Sequence, residues 1–185
     1  MTKGNIIFLN GTSSSGKTSI AKALQEILDE PYLHFCIDTF LWMLPDRYLS
    51  QEALPAVGPR AISGMHHCIA ASASIGNNII VDHVLEGKQW LKECVRLLTG
   101  FPVLFVGVRC PLEELERRER ERNRQRGLAR YQFDLVHAHG VYDLEIDASI
   151  YSPMECALQI KDALRDIHSS NAFSELRDLL LPGSD

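Results

Sequence analysis

The sequence has no apolar run long enough to cross a membrane. Its longest apolar runs, such as FPVLFVGV at 101–108, are far shorter than the roughly 20 residues that a membrane-spanning helix needs. A signal peptide is not expected either, because the first predicted strand begins at Asn5 and no long apolar segment precedes it. We therefore expect a cytoplasmic protein that makes no use of a membrane.

Paired metal-binding or disulfide-forming cysteines are also lacking. The five cysteines are widely spaced and include no CxxC pair, so we expect reduced thiols, most of them buried. The histidine pairs at 66–67 and at 137 and 139 have no thiol or carboxylate at a matching short spacing. We interpret these histidines as core or crevice residues, and metal ligation by them is not expected.

The sequence also has fewer basic than acidic residues. Lysine and arginine number 19 against 24 aspartates and glutamates, which gives a net charge of −5 and a pI of about 5.8. This balance disfavours a general nucleic-acid binder. A length of 185 residues with 45% hydrophobic residues is typical of one globular domain with a substantial core.

Short apolar runs alternate with helix-length segments along the chain. Strands are predicted at 5–10, 32–37, 78–82, 103–108 and 143–147, and helices at about 17–29, 59–75, 87–98, 112–124, 128–138 and 153–168. Because the strands are apolar throughout, they should be covered on both faces, as in a parallel sheet. The pattern predicts an α/β fold of three layers with helices on both faces of the sheet. Residues 45–60 are rich in proline and are predicted to be irregular.

The segment FLNGTSSSGKTSI contains a complete phosphate-binding motif. It runs from a predicted strand into a predicted helix, which is the context that the G-x-x-x-x-G-K-[ST] pattern requires. Two glycines allow successive backbone N–H groups to point inward as an anion-binding nest. Lys17 would reach the β- and γ-phosphates of a nucleotide, and Thr18 would ligate Mg²⁺. The predicted phosphate-binding residues are Gly11, Thr12, Ser13, Ser14, Ser15, Gly16, Lys17 and Thr18.

A phosphate-binding loop identifies the ligand and not the reaction. GTPases and motor ATPases also use it, but the sequence has no N-K-x-D guanine motif and no D-x-x-G spacing after the third strand. The chain is short for a motor ATPase. A small ATP-dependent kinase is therefore favoured.

Two aspartates end predicted strands and should face the same crevice as the phosphate loop. Asp82 would hold Mg²⁺ beside Thr18, although a strand-end aspartate can also cap the next turn. Asp38 would orient an acceptor hydroxyl and take its proton. Position alone leaves open that Asp38 is instead the N-cap of a helical turn starting at Thr39.

The arginine-rich segment 109–130 divides into two halves. Up to Glu121 it has four arginines and five glutamates, and Glu113–Arg117, Glu114–Arg118 and Glu116–Arg120 stand at i,i+4 spacing, as on a solvated helix face. After Glu121, Arg122, Arg124, Arg126 and Arg130 have no acidic neighbour in the sequence. Arg122 and Arg124 are the candidates for a lid that stabilises charge on the transferred phosphoryl group. RNA or anionic-surface binding is the alternative that the acidic pI disfavours.

Apolar residues beyond Asp38 indicate where an acceptor could bind. The segment TFLWML, together with Tyr48, Leu54 and Val57, could form an apolar acceptor pocket. Packing of Leu41 and Leu44 against the core is an equally good interpretation.

Taken together, the motifs resemble the chloramphenicol phosphotransferases, small P-loop kinases that use ATP to phosphorylate an antibiotic hydroxyl. The resemblance extends from Ile6 to about Ile160. It rests on FLNGTSSSGKT, on Phe35, Asp38 and Leu44-Pro45, on IIVDHV at 79–84, on VGVRC at 106–110, on Arg124, Gly127, Ala129 and Gln132, on VH at 136–137, on YDLEID at 142–147 and on MECA at 154–157.

The resemblance implies a kinase-type strand order of 2-3-1-4-5. It also implies that Asp38 is the base for the acceptor hydroxyl and that Arg122 and Arg124 belong to a lid, at about 112–135. Two departures fall in the acceptor region: His83 stands where the family pattern has a second aspartate, and the segment 45–60 is shorter than in the antibiotic kinase.

We therefore expect an ATP- and Mg²⁺-dependent O-phosphotransferase acting on a hydroxyl of chloramphenicol or a similar small molecule. The kinase domain should span 1–168, with 169–185 as a C-terminal extension carrying a short amphipathic helix. A kinase for a different metabolite and a non-catalytic nucleotide-binding switch are the alternatives. The sequence leaves open whether the chain forms a homo-oligomer.

Overall fold

A parallel five-stranded sheet in the order 2-3-1-4-5 forms the centre of the molecule, which confirms the predicted fold. The computed structural model describes residues 2–50, 52–122 and 127–182. The strands are β1 (Ile6–Asn10), β2 (Tyr32–Cys36), β3 (Asn78–His83), β4 (Val103–Arg109) and β5 (Leu144–Asp147). Each lies within one or two residues of its predicted bounds.

Helices follow the strands in alternation, so that each parallel pair is joined by a crossover. They are α1 (Lys17–Ile27), α2 (Ile37–Leu41), α3 (Leu54–Ser74), α4 (Lys88–Leu98), α5 (Leu112–Glu121), α6 (Leu128–Phe133), α7 (Pro153–Ala163) and α8 (Ala172–Leu180), with 3₁₀ turns at Asp46–Tyr48 and Leu164–Ser169. No helix in the described parts of the chain is both long enough and apolar enough to span a membrane.

The alternation of side chains along β1 produces two hydrophobic cores. Ile6 and Phe8 point into one core, where α3, α4 and α8 pack, and Ile7 and Leu9 point into the other, with α1 and α7. All four side chains are fully buried. A strand that is buried on both faces does not alternate between polar and apolar residues, so it appears in the sequence as an unbroken apolar run.

The proline-rich segment 45–60 contains more helix than the sequence predicts. A 3₁₀ turn occupies 46–48, and α3 begins at Leu54, five residues before the predicted helix start. Pro55 lies in the first turn of α3, where a backbone N–H has no partner within the helix, so a proline there is tolerated. Pro59 lies inside α3, where proline normally disfavours helix, and this misled the prediction.

The C-terminal helix α8 is packed onto the sheet. Phe173 and Leu176 are buried, and the ring of Phe173 lies 5.1 Å from that of Phe105 and 5.8 Å from that of Phe8. The side chain of Asp143 accepts hydrogen bonds from the backbone N–H groups of Asn171 and Ala172. The predicted amphipathic helix in the tail is thus confirmed, and its apolar face belongs to the core shared by Phe8 and Phe105.

Candidate active site

The phosphate-binding motif forms a tight loop between β1 and α1. Gly16 has a φ of 102°, a left-handed conformation that favours glycine. A side chain at Gly11 would approach the backbone oxygen of Val108 to 2.6 Å, so only glycine fits there. The loop therefore requires both glycines of the motif, each for a separate steric reason.

Two serine hydroxyls in this loop fit an anionic ligand. The Oγ atoms of Ser14 and Ser15 are buried and have no hydrogen-bond partner among the described residues. Buried hydroxyl groups are usually hydrogen-bonded, because leaving them unpaired costs about 1–3 kcal/mol. A nucleotide phosphate, with several acceptor oxygens beside these donors, matches the chemistry of the loop.

Lys17, Thr18 and Asp82 meet at the start of α1 and the end of β3. The Nζ atom of Lys17 donates to the backbone oxygen of Thr12 at 2.9 Å and lies 3.9 Å from Oδ1 of Asp82. The Thr18 hydroxyl donates to Oδ2 of Asp82 at 2.6 Å. A hydroxyl and a carboxylate oxygen this close together are the hard oxygen ligands that Mg²⁺ prefers.

The charge state of Asp82 follows from its neighbours. Burial alone would raise the pKa of this carboxyl, but His34, the Lys17 ammonium and the Thr18 hydroxyl outweigh burial and lower the pKa from 3.8 to about 2. The carboxylate is therefore ionised at neutral pH, as a cation ligand must be.

We predict that replacing Asp82 with asparagine makes the free energy of unfolding less dependent on pH in the acid range. A carboxyl whose pKa is about 2 when folded and 3.8 when unfolded adds stability above pH 3.8, and that stability is lost as the pH falls through 2. The loss in free energy of unfolding between pH 4 and pH 2 should be smaller in Asp82→Asn by about 2 kcal/mol. Urea unfolding across this range measures it. Asp46→Asn, at an exposed position, is the control and should leave the wild-type slope unchanged.

Asp38 and Arg122 line the same cavity as the phosphate loop. This cavity also contains Lys17, Thr18 and Asp82. Asp38 is half-buried in the first turn of α2, whose N-cap residue is Cys36. The interpretation of Asp38 as the N-cap of a turn starting at Thr39 is therefore wrong, because the helix starts two residues earlier. Arg124, the other predicted lid arginine, lies outside the described residues, as does Arg126.

Two polar residues of the segment predicted to form a lid were not singled out as functional from the sequence. The buried carboxylate of Glu119 accepts hydrogen bonds from the backbone N–H groups of Gly127 and Ala129, and so ties α6 to α5. The amide of Gln132 accepts from the Ser13 N–H at 2.8 Å and donates to Glu86. Gln132 occurs in the motif that carries the resemblance, whereas Glu119 is hidden among the other charges of α5.

The arginines of α5 and α6 pair differently from the prediction. Arg118 does pair with Glu114, but it also donates to the backbone oxygens of Ser15 and Ala148, so it supports the phosphate loop and is not simply a solvated residue. Arg117 pairs with Glu114 and Glu121. Glu116 pairs with Arg130 across 14 residues. The prediction that Arg130 lacks an acidic partner is wrong, because α6 packs against α5 and places Arg130 beside Glu116.

Of the paired histidines, His66 and His137 contact other side chains. His67 is exposed and its Nδ1 lies 2.9 Å from the backbone oxygen of Ser63, so the core or crevice interpretation is wrong for His67. His66 Nε2 lies 2.8 Å from Nε2 of buried His83, and its Nδ1 lies 2.6 Å from Glu93. His137 Nδ1 lies 2.6 Å from the Tyr142 hydroxyl. Burial, and after it the neighbouring His66, lower the pKa of His83 to about 3, so His83 is neutral in the folded protein. His83 therefore does not supply the negative charge of an aspartate beside Asp82.

Two further cavities bear on ligand binding, one bordering the phosphate loop and one following α2. One of about 480 Å³ lies beyond Gly16, between α5 and the segment joining β5 to α7, and Arg118, Arg122, Ile150 and Tyr151 contribute to its wall. The other, of about 300 Å³, follows α2 and is lined by Leu44, Pro45, Tyr48, Val57, Arg60 and Ala61. Three of the residues predicted for an acceptor pocket, Leu44, Tyr48 and Val57, are thus brought together.

A parallel sheet in this strand order, with a glycine-rich loop at the end of its central strand, defines a P-loop kinase fold. The chain belongs to the chloramphenicol phosphotransferase-like family, whose model matches residues 4–165. Curated relatives from two strains of Mycobacterium tuberculosis are 32% identical over 205 aligned positions, covering 98% of this chain and 91% of theirs. Their name is "Putative O-phosphotransferase".

Solved structures at low sequence identity share the fold. The APS kinase CysC of Mycobacterium tuberculosis superposes with a TM-score of 0.69 at 17% identity, over 89% of this chain and 99% of that one. The tunicamycin resistance protein of Deinococcus radiodurans has a TM-score of 0.66 at 19% identity, over 86% of this chain and 95% of that one. These likenesses establish the kinase architecture.

Proposed function

We propose that the protein transfers the γ-phosphoryl group of Mg-ATP to a hydroxyl of a small molecule, chloramphenicol or a compound of similar shape. One observation carries the proposal. Five residues from four separate parts of the chain line a single cavity at the carboxyl ends of the strands. They are Lys17, Thr18, Asp38, Asp82 and Arg122. Phosphoryl transfer needs these parts: a phosphate cradle, a metal site, a carboxylate for the acceptor and a cation for the developing charge.

The nucleotide would lie across the loop, with its phosphates at the loop backbone and its base in the cavity beyond Gly16. Its phosphates would receive hydrogen bonds from the backbone of residues 11–16 and the charge of Lys17. Thr18 and Asp82 would hold Mg²⁺, whose chemistry when bound is to neutralise negative charge on the phosphates. The 480 Å³ cavity beyond Gly16 offers Ile150 and Tyr151 to the flat face of a base.

The acceptor would bind in the cavity after α2. Leu44, Tyr48 and Val57 provide an apolar wall, and Arg60 provides one positive charge. Asp38, on the helix that precedes this cavity, would orient the acceptor hydroxyl and take its proton as the oxygen attacks phosphorus. The names of the mycobacterial relatives, which describe O-phosphotransferases, agree with a hydroxyl acceptor.

The proposal is tested by measuring acceptor-dependent ADP release from Mg-ATP. Chloramphenicol, amphenicol analogues lacking the primary hydroxyl and a panel of unrelated alcohols form the acceptor set. We expect turnover with a primary hydroxyl on a compact aromatic body and none with the analogue that lacks it. Tight nucleotide binding without turnover on any acceptor would instead indicate a nucleotide switch. Turnover only with an unrelated alcohol would support the proposed kinase activity but would refute the proposed acceptor.

Arg122 provides a further prediction about the lid. Arg122→Ala should lower kcat by about 10–10²-fold, because its guanidinium lines the phosphate cavity, while its exposed position keeps the effect below that of a buried donor. Arg120→Ala, on the exposed face of α5, is the matched control and should change kcat less than twofold. Steady-state kinetics at saturating ATP distinguish the two, and equal effects would remove Arg122 from the proposed mechanism.

A further inference from the structure

Three side chains of different chemistry converge beside the phosphate loop. His34 and Cys36 are two residues apart on β2 and so lie on the same face of the sheet. Cys36 is the register partner of Asp82 on the parallel neighbour β3, which places all three on one side. The imidazole, the sulfur and the carboxylate each present a donor atom, and these atoms all lie within 4.8 Å of one another.

The spacing is close to that of a tetrahedral metal site. Oδ2 of Asp82 lies 3.7 Å from Nε2 of His34 and 3.7 Å from Sγ of Cys36. Zinc bonds of roughly 2.0–2.3 Å at tetrahedral angles separate neighbouring ligand atoms by about 3.4–3.6 Å. Small side-chain movements would therefore bring the three atoms onto one ion.

The local environment also indicates a ligand. Nε2 of His34 is buried and has no hydrogen-bond partner among the described residues, although it points toward Asp82. Cys36 and Asp82 are both buried yet line the phosphate cavity, so an ion can reach them from that side. Lys17 approaches the other carboxylate oxygen, Oδ1, whereas Oδ2 faces His34 and Cys36 and also accepts the Thr18 hydroxyl.

We propose that His34, Cys36 and Asp82 form a binding site for a borderline or soft divalent cation such as Zn²⁺, overlapping the proposed Mg²⁺ position. Sulfur and imidazole nitrogen select such ions, whereas Mg²⁺ requires oxygen ligands. Binding deprotonates the Cys36 thiol and releases that proton to solvent, so the thiolate and carboxylate neutralise the ion. Three protein ligands leave a fourth position for water or a phosphate oxygen.

The consequence is inhibition by metal exchange. Asp82 cannot serve both ions, so Zn²⁺ on the cluster removes the carboxylate from Mg²⁺ and blocks phosphotransfer. This consequence rests on the proposed kinase function, whereas the binding itself does not. The two are therefore tested separately.

Metal binding is tested first, without nucleotide, by titrating the protein with Co²⁺. A thiolate ligand gives a sulfur-to-cobalt charge-transfer absorption, which we expect in the wild type and in Cys68→Ser, the control that removes the exposed thiol. The absorption should vanish in Cys36→Ser. In His34→Gln, which keeps the thiol, the affinity for Zn²⁺ in competition with a chelator should fall at least about tenfold, since even outer-shell losses cost that much.

Persistence of the absorption in Cys36→Ser, or its loss in Cys68→Ser, would overturn the site. Thermal unfolding of each variant checks that Cys36→Ser is folded, and if it is not, the affinity of His34→Gln decides alone. Zn²⁺ inhibition at fixed Mg-ATP is measured next, relative to each variant's own activity. We expect His34→Gln to need at least about tenfold more Zn²⁺. Binding without any phosphotransfer in the wild type would sustain the site and refute the kinase.

Discussion

Replacing Lys17 with alanine is expected to lower kcat/KM for phosphotransfer by about 10²–10³-fold, or roughly 3–4 kcal/mol of transition-state stabilisation. The Lys17 ammonium is buried at the first position of α1, where its charge faces the phosphate cavity. The attraction between this ammonium and the transferred group increases as negative charge builds up on that group. Because the ammonium is buried, solvent screens this attraction only weakly. Initial rates at varied ATP measure the loss.

Lys22→Ala is the matched control for this change. Lys22 lies on the exposed face of the same helix and should retain wild-type kinetics. Lys17→Ala also removes the hydrogen bond to the Thr12 oxygen, so thermal unfolding must accompany the kinetics. A folded Lys17→Ala variant with near-native phosphotransfer would contradict the proposed nucleotide position.

Changing Asp38 to asparagine should reduce kcat by about 10²–10⁴-fold while the affinity for ATP stays nearly constant. Asparagine keeps the size and most hydrogen bonds of the side chain but cannot accept the proton of an attacking hydroxyl. Because Asp38 lies on α2 and not in the phosphate loop, nucleotide binding should be spared. Single-turnover rates and ATP titration by fluorescence separate the two effects.

The neighbouring acid Asp46 provides the control for Asp38. Asp46→Asn makes the same chemical change at an exposed position of the following 3₁₀ turn and should leave kcat unchanged. Normal turnover by Asp38→Asn with an established acceptor would place the base elsewhere in the cavity.

The sequence predicts the sheet and the phosphate loop well because both depend on local patterns. Apolar runs such as IIFLN give β1, and steric demands at Gly11 and Gly16 give the loop its fixed motif. The strand order came from the resemblance and not from the periodicity. The cavity that joins Asp38 and Asp82 follows from this order, which makes β2 and β3 neighbours.

Contacts between distant residues were the part that the sequence could not predict. Glu116 meets Arg130 because α6 packs against α5, and i,i+4 counting along one helix cannot anticipate that pair. Nothing in the sequence distinguishes His34 from other strand residues. The register of β2 on β3 places Cys36 opposite Asp82, and His34 lies on the same face as Cys36. The helix α3 was under-predicted because its packing against the sheet outweighs the local effect of Pro59.

The hydrogen bond from the Ser13 N–H to Gln132 gives the loop an internal substitute for its ligand. The amide oxygen of Gln132 stands where an anion's oxygen would otherwise accept that hydrogen bond. Any anion that takes the Ser13 donor has to displace Gln132, so this contact adds little to its net affinity, within about 1 kcal/mol. The displaced amide would retain its bond to Glu86. An anion at the Ser13 N–H and the attachment of α6 through Gln132 are therefore alternatives, whereas the other donors of the loop stay available to a ligand in either case.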